Sequence, residues 1–176
     1  IDQPRSRSFS PVVGGTVTLT LTPAADVDDA GAYHVTESPS VATRSYAVAK
    51  QGNGEYRVVS APDGIVLDAE TFKVVYNPFT LMYFDTTYRF LVPDVRWFPA
   101  RTNIATNITS KLIDGAPSPW LAGAVKSAFP QDVGLKSKTV PVTGGVAKVE
   151  LEPRALGLDE LTLNRMQAQL QASLAS

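Results

Sequence analysis

At 176 residues, with 44% hydrophobic and 19% charged side chains, the chain is globular rather than disordered and long enough for one ordinary domain or two small ones. Its formal net charge of -1 supplies no overall basic field to gather nucleic acid or anionic lipid. The absence of cysteine excludes disulfides and thiolate metal sites within the chain.

No apolar run approaches the roughly 20 residues of a membrane helix, and none of these 176 residues reads as a signal peptide. Ile1 is not an initiator methionine, so the chain is expected to be a trimmed or mature piece of something longer. Arg5 and Arg7 in PRSRS read as a solvated terminus. TVTLTLT, residues 16–22, alternates strictly and predicts a half-buried strand with Val17, Leu19 and Leu21 on one face. DVDDAG (26–31) is an acidic turn, and ESPSVATRS (37–45) reads as polar and irregular. Strands over 45–50 and 55–60 flank QGNG, where Asn53 and Gly54 can both take positive φ in a hairpin turn. Asp63-Gly64 marks another turn. In DAETFKVVY, Asp68 can cap a short helix with Glu70 in its first turn, although Val74 and Val75 equally suit a strand. Asn77-Pro78 is the expected domain boundary, dividing a β-rich part, residues 1–78, from an α+β part, residues 79–176.

In the second part TLMYF (80–84) and YRFLV (88–92) read as paired strands around DTT, with Pro93-Asp94 turning the chain into VRWF. Ile104, Ile108 and Leu112, widened by Ala105 and Ile113, give one helical stripe, capped by Thr102 or Asn103. Leu121, Ala124, Val125, Ala128 and Phe129 give a second, closed by Pro130. Between them LIDGAPSPWL reads as a corner: Gly115 in the left-handed position after one helix, Ser118 as N-cap and Pro119 at N1 of the next. Trp120 there is expected to pack inward; left exposed, it could anchor a partner. In KSKTVPVTGGVAKVELE a Gly144-Gly145 turn sets Val142 opposite Ala147 and Val140 opposite Val149. Asp159 and Glu160 open a last helix with Leu163, Met166, Leu170 and Leu174 on its stripe and Gln167, Gln169 and Gln171 mostly outside it. The class is α+β: two small domains, the second with helices packed on a mainly antiparallel sheet.

Catalytic chemistry finds little support. His34 is the single histidine and has no nucleophile near it in sequence, and one histidine without cysteine cannot build a zinc shell. Asp63, Asp68, Glu70, Asp85 and Asp94 fit turns and caps rather than a pair of acid–base carboxylates. TGGVA lacks the spacing of a phosphate loop. Tyr83, Phe84, Tyr88, Phe90, Trp97 and Phe98 form an aromatic band that reads as sheet packing. Arg89, Arg96 and Arg101 keep an anionic partner in view. No catalytic residue, metal or cofactor is assigned.

The run YRFLVPDVRWFPARTNIATNITSKLIDGAPSPWLAGAVKSAFPQDVGLKSKTVPVTGGVAKVEL resembles a GerMN domain. Such domains have a helix ending near Leu-Gly-Pro, an FP-x-x-x-x-L passage and a V-x-V-x-x-G-x-A-x-V-x-L hairpin; LIDGAP, FPQDVGL and VPVTGGVAKVEL stand in those places. The Pro of LIDGAP falls one residue later than the pattern has it. With the preceding SYAVAKQGNGEYRVVSAPDGIVLDAETFKVVYNPFTLMYF, the following LVPD and the final RMQAQLQASL, the chain is similar to the actinobacterial lipoprotein LpqB family over about residues 45–176 and more weakly before them. The resemblance implies an extracytoplasmic protein held by an N-terminal lipid on the outer face of the cytoplasmic membrane. It also implies a C-terminal β-propeller beyond these residues, and a regulatory contact with the extracytoplasmic part of the sensor kinase of the MtrA–MtrB system.

The expected function is therefore non-catalytic binding of an MtrB-like sensor histidine kinase that modulates two-component signalling, with Trp120, Trp97, Arg96 and Arg101 as the partner-binding candidates. The first rival is a peptidoglycan-binding module, motivated by the aromatic band and arginines. The second is a glycan hydrolase, motivated only by the scattered carboxylates.

Overall fold

The alternation of TVTLTLT does form a strand. In the computed structural model, which describes residues 14–175, β1 (Gly14–Leu21) pairs antiparallel along its length with β4 (Ala42–Lys50). β4 returns as β5 (Tyr56–Ser60), giving the order β1-β4-β5. Of Asn53-Gly54 only Gly54 takes a positive φ, because the loop closes as a longer turn with Gln51 N on Glu55 O and Gly54 N on Gln51 O. The apolar face of β1 stays open, with Val17 54% and Leu19 41% exposed. β4 starts at Ala42, so the stretch read as irregular is already strand from there. Arg5 and Arg7 lie outside the described residues. This sheet belongs to the first of two compact units, which holds residues 35–66 and those up to 26.

The second unit holds residues 27–34 and 67 onward. The chain enters it in β2 (Ala25–Val27) and leaves it in β3 (Tyr33–Val35). It re-enters before α1 (Ala69–Val75), which Asp68 caps by accepting from Thr71 N at 2.8 Å. Val74 and Val75 stay helical. β6 (Tyr76–Asp85) then pairs with β7 (Leu91–Pro99) over nine registered pairs, Tyr76 opposite Pro99 to Phe84 opposite Leu91. Asn77-Pro78 ends no strand, for both residues lie within β6. Pro93-Asp94 does not turn, for Pro93 sits in β7 opposite Met82. The order β7-β6-β8 makes β7 an edge strand, and β6 has a second strand neighbour only at Phe84 and Asp85, so each proline falls where its strand has a free side.

α2 (Ile104–Asp114) is capped by Asn103, which accepts from Thr106 N at 3.1 Å, and buries Ala105, Ile108 and Leu112. It ends at Gly115, in the left-handed region at φ 68°, whose N–H returns to Lys111 O. Gly115→Val should destabilise the unit by about 1 kcal/mol or more through that φ, read as a lowered melting temperature. An added Cβ would meet Ser127 only at an ordinary 3.6 Å, so backbone strain rather than a clash is what the melt would report.

The helix expected over 121–129 is absent. Pro119–Leu121 makes one 3-10 turn, Gly123 takes φ 81°, and β8 (Val125–Lys126) pairs with Asp85 and Phe84 instead. Four of the five stripe residues, Leu121, Val125, Ala128 and Phe129, are buried, but they reach the core from a 3-10 turn, a short strand and loop rather than a helix, and Ala124 is exposed. The glycine hairpin has β9 (Val142–Thr143) against β10 (Val146–Ala147) with Val142 opposite Ala147. One further backbone bond follows, Lys148 N on Pro141 O, and the pairing then ends short of Val140 and Val149. Val140 is pulled onto the start of α2, its N–H donating to Thr106 Oγ1 at 2.8 Å and its carbonyl accepting from Asn103 Nδ2 at 3.1 Å.

α3 (Glu160–Leu174) opens on Asp159, which accepts from Thr162 N, and packs Met166, Leu170 and Leu174 against a core that includes Leu81, Tyr83, Phe84, Ile108 and Leu112. Gln169, placed outside the stripe by its polarity, is instead buried. It accepts from Ala128 N at 2.7 Å and donates to Met82 O at 2.8 Å, while Met82 N donates to Ser173 Oγ at 2.8 Å. Side chains of α3 thus take the place of a neighbouring strand at Met82, beyond the end of β8. The architecture is α+β in two parts, as the sequence indicates.

Candidate functional site

The corner between α2 and the 3-10 turn is the most tightly built polar region of the second unit. Asp94 and Arg96 stand two apart on β7 and therefore share a face. Both are buried, Arg96 to 1% exposure. The Asp94 carboxylate accepts from Arg96 Nε at 3.1 Å and Nη2 at 2.9 Å, from Ser118 N at 2.8 Å and from Ser118 Oγ at 2.6 Å. Arg96 spends its remaining reach on two carbonyls, Nη1 on Ala30 O at 3.0 Å and Nη2 on Ala116 O at 2.8 Å. Tyr83, on the same sheet face, donates its hydroxyl toward Lys111 O and Ala116 O. Burial pushes the Tyr83 phenol up to about 12, against the pull of Arg96, so this donor keeps its proton through any physiological pH.

Ser118 was expected to cap the following turn. Its side chain makes no cap bond, because Asp94 takes both its N–H and its hydroxyl. The turn is instead started by Pro119 and closed by Leu121 N on Ser118 O and Ala122 N on Pro119 O. Leu121 points into the core and Trp120 points out, 73% exposed. The inward packing expected of Trp120 is thereby overturned: with Leu121 committed to the core, its neighbour on so short a turn has only solvent to face. The result is a large, rigid aromatic surface presented on a loop fixed from beneath by buried hydrogen bonds, an arrangement suited to anchoring a protein partner.

The four candidates do not converge. Arg96 belongs under the corner, with its donors used internally, and offers a partner nothing directly. Trp97 alternates to the other face of β7, half-buried, its ring 6.0 Å from Tyr33 and 5.1 Å from Phe72, which stacks in turn on Tyr76 at 5.1 Å. Arg101 is exposed in the turn after β7. Only Trp120 and Arg101 stand fully in solvent. Asp94 is what the sequence reading missed as the organiser of the corner; opposite charges two apart on a strand were the available signal.

The carboxylates weighed for hydrolysis are dispersed into structural tasks: Asp68 caps α1, Asp85 accepts from the amides of its own loop, and Asp94 is bound to Arg96 and Ser118. His34 lies 3.2 Å from Asp28, whose carboxylate also accepts from the amides of Ala30 and Ala32. Partial burial raises the Asp28 carboxyl, but those amides and His34 outweigh it and hold it below the usual range. This is a turn-forming Asp with a histidine beside it.

Comparison with known proteins agrees with these motifs. A family profile described as the N-terminal domain of lipoprotein LpqB matches residues 2–73, and one described as sporulation and spore germination, Germane, matches residues 80–176. Lipoprotein LpqB of Thermobifida fusca is 36% identical over 126 residues, covering 67% of this chain and 19% of the relative. That of Bifidobacterium longum is 27% identical over 144 residues (82% of the chain, 24% of the relative), and that of Rhodococcus opacus 31% over 140 residues (79% and 23%). The chain spans about a fifth to a quarter of the length of these curated relatives. No solved structure matches it. With an LpqB N-terminal region followed by a GerMN domain over more than half its length, the chain belongs to the lipoprotein LpqB family.

Proposed function

We propose that this chain is a non-catalytic, extracytoplasmic binding module of a lipid-anchored lipoprotein, which contacts the extracytoplasmic domain of an MtrB-like sensor histidine kinase and so modulates two-component signalling. The anchor and a C-terminal propeller would lie in the remainder of the longer polypeptide. One observation carries the reading of a binding module: Trp120 stands exposed on a corner whose buried Asp94–Arg96–Ser118 network fixes its position. Binding there can bias a sensor only by favouring one of its two states. The test is a pull-down of the kinase's extracytoplasmic domain by this chain and by the full-length lipoprotein. Both should capture it, and Trp120→Ala should weaken capture about thirtyfold, the effect of losing about 2 kcal/mol at a hot spot, with an unchanged melting temperature. Failure of both proteins to bind would sink the reading.

The peptidoglycan alternative has one observation in its favour, the partly exposed ring series Tyr33, Trp97, Phe72 and Tyr76, which could stack on sugar. Co-sedimentation with purified peptidoglycan that is abolished by Trp97→Ala and untouched by Trp120→Ala would favour it instead.

A further inference from the structure

The loop joining β6 to β7, residues 86–90, is held in an unusual shape. Asp85 folds it, its carboxylate accepting from the amides of Thr87, Arg89 and Phe90 and from the Thr87 hydroxyl. Those donors, Thr87 first and Phe90 next, keep the Asp85 carboxyl well below the usual carboxylate range. Tyr88 is forced to φ 58°, the one non-glycine residue with positive φ among the described residues.

Two cations converge on the Tyr88 ring from other elements. Lys126 of β8 places Nζ 3.8 Å from its centroid, and Arg165 of α3 places its guanidinium carbon at 4.0 Å. Arg165 comes one helical turn before Gln169, so the seating of α3 on Met82 also delivers Arg165 to the loop. A third cation, Arg89, lies over the Phe90 ring at 5.7 Å, and that ring is 64% exposed. Among the described residues none of the three cations has a carboxylate within ion-pair distance, whereas Lys73, Lys111, Lys136 and Lys148 of the second unit do. The one acid beside the loop, Asp85, is engaged by the loop's own amides and the Thr87 hydroxyl, so three cations stand against one carboxylate there. A chain of net charge -1 therefore carries a local excess of positive charge beside an exposed aromatic tip.

We propose that this tip is a docking surface for an anionic phospholipid bilayer: Arg89, Lys126 and Arg165 face the headgroup phosphates and Phe90 enters the interfacial layer. Charge complementarity selects the occupant. Three cations against a single carboxylate suit a surface of phosphates, and a projecting phenyl beside them suits the headgroup boundary. The inference rests on the lipoprotein reading only in that a lipid tether supplies the proximity so small a patch needs; it is independent of kinase binding.

Sedimentation of the 176-residue chain with vesicles of phosphatidylglycerol and phosphatidylcholine, against phosphatidylcholine alone, tests it. Binding should require the anionic lipid, and half-molar salt should release it. Each of Arg89→Gln, Lys126→Gln and Arg165→Gln should lower the partition coefficient about fivefold, the equivalent of about 1 kcal/mol per cation. Phe90→Ser should lower it at unchanged charge. Should Arg165→Gln or Lys126→Gln loosen the loop, Arg89→Gln with Phe90→Ser carries the test, since both side chains are solvent-facing. Equal sedimentation with both vesicle types, insensitivity to these substitutions, or binding to an immobilised acidic polypeptide but not to vesicles would overturn the proposal. Absence of vesicle binding by the unsubstituted chain, with kinase capture intact, would overturn it alone, leaving the proposed function standing.

Discussion

Arg96→Ala should lower the stability of the second unit by about 3–5 kcal/mol, measured by urea or thermal unfolding. The magnitude follows from what would remain. Asp94 would keep only the Ser118 N–H and hydroxyl for a carboxylate with no exposure, and the carbonyls of Ala30 and Ala116 would lose charged donors. An uncompensated charge at that depth costs far more than a missing surface pair. Asp94→Asn combined with Arg96→Met should lose less than the sum of the two single changes, because the pair couples. A loss below about 1 kcal/mol in Arg96→Ala would mean that water reaches the corner and that the network does not fix it. The same variant bears on binding: with the corner released, Trp120 should lose its preset position, so kinase capture should fall even under conditions where the unit remains folded.

Gln169→Leu is the second large effect, about 2–4 kcal/mol from two orphaned backbone groups. The substitution preserves size and helix propensity, so its cost isolates the Ala128 N–H and the Met82 carbonyl that Gln169 satisfies. Leu170→Met, one position along and packed on the core, should cost less than about 1.5 kcal/mol. Equal losses in the two variants would show that packing rather than hydrogen bonding sets the position of α3.

What was legible in the sequence was local. Asp68, Asn103 and Asp159 cap helices through donors three residues on, and Gly115 answers to its own φ, so each can be read within one turn of chain. The strict alternation of TVTLTLT and the Gly144-Gly145 turn belong to the same kind. The motif resemblance reached further than any of these because it draws on whole patterns at once. What failed was set by partners distant in sequence. Ser118 looked like a cap until Asp94, 24 residues away, took its donors. Val140 looked like a hairpin residue until Thr106, 34 residues away, took its amide. The 121–129 stripe held for the burial of Leu121, Val125, Ala128 and Phe129 but not for Ala124 or for the backbone, since apolar spacing reports which side chains tend inside and not the path that carries them there. Gln169 was invisible for a related reason: a glutamine on a helix reads as solvent-facing unless the sheet it completes is known. Of the candidate site, Trp120 was identified as a residue, but its outward direction came only from Leu121 being drawn inward.

The helix that completes the sheet at Met82 lies about ninety residues after it, Ser173 following Met82 by 91 positions. A ribosome adding roughly 5–20 residues per second leaves an interval of about 5–20 s in which the middle strand is already outside and its closing side chains do not yet exist. Through that interval Met82 offers a bare amide and carbonyl, the kind of opening that invites a second nascent chain. β8 shields the neighbouring Phe84 and Asp85 about forty residues after they emerge, so the vulnerable stretch is kept short. Two polar side chains on a helix, unlike a full strand, also leave no new open edge behind them once they arrive. The device that finishes this sheet therefore ends the risk of misassembly rather than passing it on.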